Sequence, residues 1–396
     1  MQQVYMDHAA TTPLDERVFD AMVPYLKEHF GNASSVHAHG RKARFAVEES
    51  RERVAALLGA EPGEIVFTSG GTEADNLAIK GVLFHRAHQA GDPGHLITSA
   101  AEHEAVLRPA ESLRDAGWPV TILPPASHGA VAADQVADAL RPETTLVSLM
   151  HANNETGVMS PVQDVAALCR DRDVTFHCDA VQTAGLLALD VNELGVDLLS
   201  LSGHKLYGPK GVGVLYVRGG VDLEPLVEGG SQERKRRGGT ENVAAIVGCA
   251  EALALAAGEA ASRVERLRRL QRRLIDGIQH RLGDTVRINT PLDDAPIAPH
   301  VVNISFPPLD GHAVDGEMLL LNLDMAGVQA SAGSACTSGA LEPSHVLDAL
   351  GLPRETASAA VRFSMGKDTS ESDVDYTLDT LDTVVQRMRR TERAVP

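Results

Sequence analysis

The sequence lacks the features that mark several large classes of protein. Four cysteines, Cys169, Cys178, Cys249 and Cys336, are scattered far apart through 396 residues. None forms a CxxC pair, so the ligand spacing of a zinc ribbon or a ferredoxin-type iron–sulfur centre is missing. Four cysteines in so long a chain also make no disulfide scaffold. Positive charge is in deficit: 36 basic against 54 acidic side chains give a net charge of −18. That argues against direct, phosphate-driven nucleic-acid binding. The N-terminus, MQQVYMDHAATTPLDE, has neither the basic start nor the apolar core of a secretory signal. No uncharged apolar run reaches bilayer length, and internal repeats and low-complexity tracts are absent. These absences lead to the expectation of a soluble, cytoplasmic globular protein without membrane association.

What is present suggests two domains, because the chain is longer than one core usually accommodates. Hydrophobic residues at 43% and charged residues at 23% are an ordinary globular balance. Short apolar runs at residues 64–68, 95–99, 120–123, 146–150, 175–178, 197–201 and 212–217 read as seven strands. Amphipathic stretches at 41–58, 73–88 and 162–172 lie between several of them. This alternation predicts an α/β architecture, a mostly parallel seven-stranded sheet covered by helices. Ligands of such sheets sit beyond the carboxyl ends of the strands. Near Gly258 the pattern changes: Val264, Leu267, Leu270, Leu274, Ile278 and Leu282 recur at helical spacing among many arginines. The arginines are better read as a solvated helix face than as an RNA-binding one. A strand at 301–306, a helix at 313–323, a strand at 359–364 and a helix at 373–388 predict a smaller α+β domain. The expected division is a large domain at 16–260 and a small one from 1–15 and 261–396.

The polar motifs follow the strands. Lys205, in SLSGHKLYGPK from Ser200, comes after an apolar strand and before a glycine-rich turn. A lysine there can reach a ligand over the sheet edge and form a Schiff base with an aldehyde cofactor. By itself it would read as a surface lysine in a turn. Asp179, in HCDAVQ from His177, ends the preceding predicted strand at the same edge. Its carboxylate can pair with a protonated pyridine nitrogen, the partner that makes pyridoxal phosphate an electron sink. A helix N-cap is the plainer role for it. Gln182, one turn later, is placed to hydrogen-bond the ring oxygen. TSGGTE from Thr68 joins a strand to a helix, and its backbone N–H groups with the Thr72 hydroxyl form a candidate phosphate cradle. It is neither a Walker P-loop nor a GxGxxG dinucleotide turn.

Cys336 lies in SAGSACTSGA from Ser331, among small residues and glycines with no apolar periodicity. That describes a mobile loop, and an exposed thiol there suits a nucleophile whose thiolate attacks. Cys169, Cys178 and Cys249 read as packed core residues. The His177-Cys178-Asp179 run is a poor metal site, because neighbours on a strand point to opposite faces. His85 and His88 lack a third ligand, so no metal is expected.

Taken together, the chain resembles the class V aminotransferase group of fold-type I pyridoxal-phosphate enzymes, and within it the cysteine desulfurases of the NifS/IscS kind. The resemblance spans nearly the whole length. It rests on YMDHAATTP from Tyr5, GNASSVHAHG from Gly31, TSGGTEADN from Thr68, AEHEAV from Ala101 and MHANNETG from Met150. HCDAVQ, SLSGHKLYGPKGVG, GSACTSG from Gly333 and VRFSMG from Val361 complete it. It implies the fold-type I transferase architecture and pyridoxal 5'-phosphate held on Lys205, which also moves protons. It implies Asp179 at the pyridine nitrogen, Gln182 at the phenolic oxygen, and His103 stacked on the ring and assisting proton transfer. Gly71, Thr72, Ser202 and His204 would hold the phosphate, with Thr240 reaching the neighbouring subunit's phosphate in a homodimer. Asn32 and Asn154 would help hold substrate and cofactor, and Arg362 would clamp the substrate carboxylate. Cys336 would take sulfur from L-cysteine as a persulfide and deliver it to an acceptor such as an iron–sulfur scaffold. His103, Arg362 and Asn154 also have plainer readings, as a helix cap, a structural ion pair and a turn residue. A selenocysteine lyase, a small-substrate aminotransferase and a non-catalytic sulfur-pathway scaffold are the competing functions.

Overall fold

A computed structural model describes residues 2–292, 295–333 and 343–393; Cys336 lies outside the described residues. Twelve strands are described: β1 Val4–Tyr5, β2 Ile65–Thr68, β3 His95–Ser99, β4 Val120–Leu123, β5 Thr144–Met150, β6 Thr175–Asp179, β7 Leu198–Ser202, β8 Gly213–Val217, β9 Arg287–Ile288, β10 Val301–Ser305, β11 Val328–Gln329 and β12 Ala360–Ser364. Seven of them form the central sheet in the order β2-β8-β7-β6-β5-β3-β4. Every pairing is parallel except those that β8 makes with β2 and β7.

The seven strands are those expected from the sequence, with some ends displaced by a residue or two, and local hydrogen bonds explain two of the displacements. Asp197 falls outside β7 because its carboxylate accepts the Phe176 N–H (2.9 Å) and pairs with Arg218 (3.0 Å). Glu64 falls outside β2 because it closes a 3-10 turn, Pro62–Glu64, by accepting the Glu61 N–H (2.9 Å).

Strand residues alternate between two apolar cores. Ile65, Phe67, Leu199, Leu201 and Val214 join one, with the helices Ala38–Leu58 and Val162–Asp171. Val66, Leu198 and Leu215 join the other, with Gly71–Ala90 and Glu104–Asp115. A sheet covered on both faces reads as continuous apolar runs, which is why the runs were visible and the face of each residue was not.

The long helix, Val243–Leu282, starts well before the expected change of pattern near Gly258. Its first half is rich in alanine and glycine, which blurs helical periodicity but permits close packing. A Cβ at Gly248 would lie 2.6 Å from the Met22 sulfur in helix Glu16–Lys27. A window within Val243–Thr285 is long and apolar enough to cross a membrane by composition, yet half of it is buried inside the fold, as in a core helix. The second half enters another core with β10, β12 and the terminal helix Glu371–Arg393. Its arginines pair largely with protein: Arg273 with Asp375 (2.7 Å), Arg281 with Asp379, and Arg266 with backbone carbonyls after β12.

The smaller sheet runs β12-β10-β9, all antiparallel. β1 pairs in parallel with β11, and the Ser364 N–H donates to the Met6 carbonyl (2.6 Å). The N-terminal residues therefore lie beside this unit.

One buried ion pair ties the first core to the turn before the long helix. Arg51 donates to both Glu233 oxygens (2.8 and 2.9 Å), and Glu233 also accepts the Phe67 N–H of β2 (3.0 Å). Arg51 is 3% exposed and Glu233 7%. Breaking such a pair strands the partner charge, so Glu233→Ala should destabilise by about 3–5 kcal/mol in urea unfolding. Arg53→Ala, which removes the half-exposed pair with Glu251, should cost less than about 1 kcal/mol.

Candidate active site

A cavity of about 290 Å³ opens at the carboxyl ends of β5, β6 and β7. β6 ends at Asp179, in register with Met150 on β5 and Ser200 on β7. Alternation sends His177 and Asp179 to one face and Cys178 to the other, where it joins the first core. His177 is wholly buried between the hydroxyls of Ser148 (2.8 Å) and Ser200 (2.9 Å). These positions leave Asp179 as the member of the trio that faces the cavity.

Lys205 closes a single 3-10 turn, Gly203–Lys205, directly after β7. The N-terminal segment grips this turn: Thr12 donates its N–H (3.0 Å) and hydroxyl (2.8 Å) to the His204 carbonyl, and the Tyr207 N–H donates to the Thr12 hydroxyl (2.8 Å). The Lys205 amine donates to the carbonyls of Ala9 and Ala10, the latter at 2.8 Å. Burial, with Arg362 nearby, pushes this amine down to about 8, against the pull of Asp179 and Asp7.

On the opposite wall, the helix Gly71–Ala90 begins at the cavity, where its first N–H groups have no intrahelical acceptors. Gly71 is required by space, since a Cβ there would lie 2.9 Å from Val181 Cγ2. Thr72, Ser202 and His204 line the same end. His103 caps the helix Glu104–Asp115, its Nδ1 accepting the Ala105 N–H (3.1 Å), and also lines the cavity. The cap and the site role are thus compatible, with Nε2 left free of the cap. Asn154 and Gln182 complete the expected lining.

Three buried carboxyls crowd together here, Asp75 and Asp179 in the lining and Glu102 outside it. Burial raises all three, with Asp75 and Glu102 pushed well above the ordinary carboxylate range and each opposed further by the charge of Asp179. Asp179 alone of the three is countered by His103 and Lys205, and its Oδ1 accepts the Val181 N–H (2.9 Å). It is therefore the carboxyl best placed to hold a negative charge.

Arg362 sits beside the cavity rather than in its lining, 3% exposed. It donates to Asp7 (2.8 Å) and to the Asn154 carbonyl (3.0 Å), while its Nε has no hydrogen-bond partner. The ion pair weighed from the sequence is present, with Asp7 as its unforeseen partner. Within the single chain the structure does not bring Asn32 or Thr240 to the cavity. Both are exposed, and Asn32 caps its own turn by accepting the Ser34 N–H (2.8 Å). Asp75, Met150 and Val181 line the cavity without having been anticipated. A signal for Asp75 existed, since it follows Gly71 by four residues on one helix face.

Residues 4–377 match the family described as Aminotransferase class-V. A cysteine desulfurase IscS of Dictyoglomus turgidum is 48% identical over 98% of this chain and 96% of its own length. A solved structure described as a NifS-like protein superposes with a TM-score of 0.88 at 36% identity, covering 98% of this chain and all of that one. Another, described as SspA in complex with cysteine, gives 0.79 at 36% identity, over 91% of this chain and 98% of that one.

The depressed lysine makes a direct prediction. Reductive alkylation of Lys205 by a small aldehyde, followed by peptide mass spectrometry, should rise with a midpoint near pH 8 rather than 10.5. Only the uncharged amine attacks, so labelling is low below that pH and complete above it. Arg362→Met removes a nearby positive charge and should move the midpoint upward.

Proposed function

The chain belongs to the class-V aminotransferase family, and we infer that it is a pyridoxal-phosphate-dependent cysteine desulfurase that converts L-cysteine to L-alanine and passes the sulfur to an acceptor protein. The observation that carries this reading is the convergence of Lys205, Asp179 and the start of helix Gly71–Ala90 on one cavity. The donor set fits the cofactor part by part. An amine of depressed pKa suits its aldehyde, a buried carboxyl its pyridine nitrogen, and a helix N-terminus with Thr72, Ser202 and His204 its phosphate. When bound, pyridoxal phosphate supplies an aldehyde for imine formation and a protonated ring that withdraws electrons from the bond being broken.

The chain's own residues do the rest. Asp179 holds the proton on the ring nitrogen, and Gln182 donates to the phenolic oxygen. Asn154 contributes further contacts to cofactor and substrate. His103 covers the ring, and its Nε2 is free to relay protons. Lys205 Nζ, which burial lowers to about 8, takes and returns the proton at the substrate Cα. The Arg362 guanidinium, with its unpartnered Nε, offers the two-pronged geometry that a carboxylate needs. The Cys336 thiolate attacks the substrate sulfur. An S–S bond forms as the Cβ–S bond breaks, the bonding pair stays with carbon, and a proton completes alanine, leaving a persulfide on Cys336.

A homodimer extends this reading. Phe19, Leu26, Phe30, Val36 and Phe45 are large apolar side chains left 49–88% exposed on and between the helices Glu16–Lys27 and Ala38–Leu58. A patch of that kind favours a partner surface. Asn32 lies in the same segment, and Thr240, outside its own cavity, would serve the neighbouring subunit's phosphate. The large domain is assigned to 16–260 and the small one to 1–15 with 261–396. The persulfide is delivered in the cytoplasm, to iron–sulfur cluster assembly or thiolation.

Lys205→Ala should lose the visible absorbance that the wild type shows after incubation with pyridoxal phosphate. Cys336→Ala should keep that absorbance and lose sulfide release from cysteine; unchanged release would remove Cys336 from the reaction. Arg362→Lys replaces a two-pronged contact with a point charge and should lower kcat/KM about 10- to 100-fold, chiefly through KM.

A further inference from the structure

His300, just before β10, is 6% exposed and lies outside the main cavity. It lines a separate void of about 30 Å³ on whose wall Gln182 and Lys205 also appear. Its Nε2 lies 3.3 Å from Gln182 Oε1, while the Gln182 Nε2 donates to the Ala9 carbonyl at 3.1 Å. The donor inventory fixes the rest. A carbonyl only accepts, so the NH₂ group must face Ala9, because the reverse orientation would set two acceptors together. Oε1 then faces His300, whose Nε2 must carry the proton. One amide N–H is taken by Ala9, and the second remains on a side chain that lines the cavity.

We propose that His300 is a positioning residue that locks the Gln182 amide with an N–H presented to the cofactor's phenolic oxygen. This rests on the reading of the cavity as a pyridoxal-phosphate site. A single bond to Ala9 would leave the amide free to pivot, and the Ala9 carbonyl is shared with the Lys205 amine. The contact from His300 supplies the second fixed point. Its other nitrogen, Nδ1, is buried without a partner, so nothing among the described residues competes for the ring's orientation. Burial pushes this imidazole down to about 3, and Arg362, His8 and Lys205 all oppose a charge on it. It therefore stays a neutral single donor throughout the working pH range.

A donor at the phenolic oxygen favours that oxygen's ionised form and lowers its proton affinity. His300→Phe should raise the pH midpoint of the bound cofactor's visible band by about half to one unit. It should also lower kcat about 3- to 10-fold with little change in KM for cysteine. His300→Asn, which keeps a donor, should restore most of the midpoint. Gln182→Ala should give a similar shift, and the double variant with His300→Phe should add almost nothing to it. His300→Leu serves if the phenylalanine variant does not fold. Independently, ¹⁵N-histidine spectra of the wild type, with His300 assigned from His300→Asn, should show the neutral Nε2–H tautomer. An unshifted midpoint in the non-donor variants, additive shifts in the double variant, or an Nδ1–H tautomer would overturn the proposal. A wild type that takes up no cofactor sensitive to Lys205→Ala would instead overturn the reading of the cavity.

Discussion

Placing an amine and a carboxyl together at the buried edge of a parallel sheet is the constraint on which the site depends. Asp179 ends β6, and Lys205 closes the turn after its neighbour β7. Desolvation opposes charge on both, raising the carboxyl and lowering the amine, while their mutual attraction pulls the other way. The balance leaves Lys205 near 8, suited both to attack on an aldehyde and to proton transfer near neutral pH. Burying either group alone would be unfavourable; together, and with His103, their charges partly offset one another.

The N-terminal segment links this edge to the rest of the molecule. β1 adds to β11, the backbone after it pairs with Ser364 beyond Arg362, and Asp7 holds the Arg362 guanidinium. Ala9 and Ala10 then present carbonyls to the Lys205 amine, and Ala9 orients Gln182. One short stretch of chain thus touches the lysine, the arginine and the glutamine. A disturbance of β1 is therefore felt at three side chains of the candidate site.

Much of this was legible in advance. The seven sheet strands announced themselves as apolar runs, and Lys205, Asp179, Gln182, Thr72 and His204 lay at a strand end, in turns or at a helix start, positions that the carboxyl-end rule gathers at one edge. Strand ends were less legible, because Asp197 is drawn out of its strand by hydrogen bonds to Phe176 and Arg218, and Glu64 by the local turn that it closes with Glu61. The first half of the long helix was hidden by its small residues, whose uniform size carries no periodic signal. Asp75 was passed over because a carboxyl on a helix reads as solvated until the helix is packed against the sheet.

The sequence by itself determined the class of chemistry. A lysine after one strand, an aspartate ending another and a glycine-rich helix start are local facts, and local facts survive in the linear pattern. Cys336 is proposed on the same kind of ground, its small-residue surroundings. Only the tertiary structure decided the pairings across long separations: Arg362 with Asp7, the Lys205 amine with the Ala9 carbonyl, His300 behind Gln182. Each joins residues from different elements, and no periodicity or spacing encodes which buried donor will meet which acceptor. That is settled when the two sheets and the N-terminal segment close together and every buried polar group competes for the few partners left in reach.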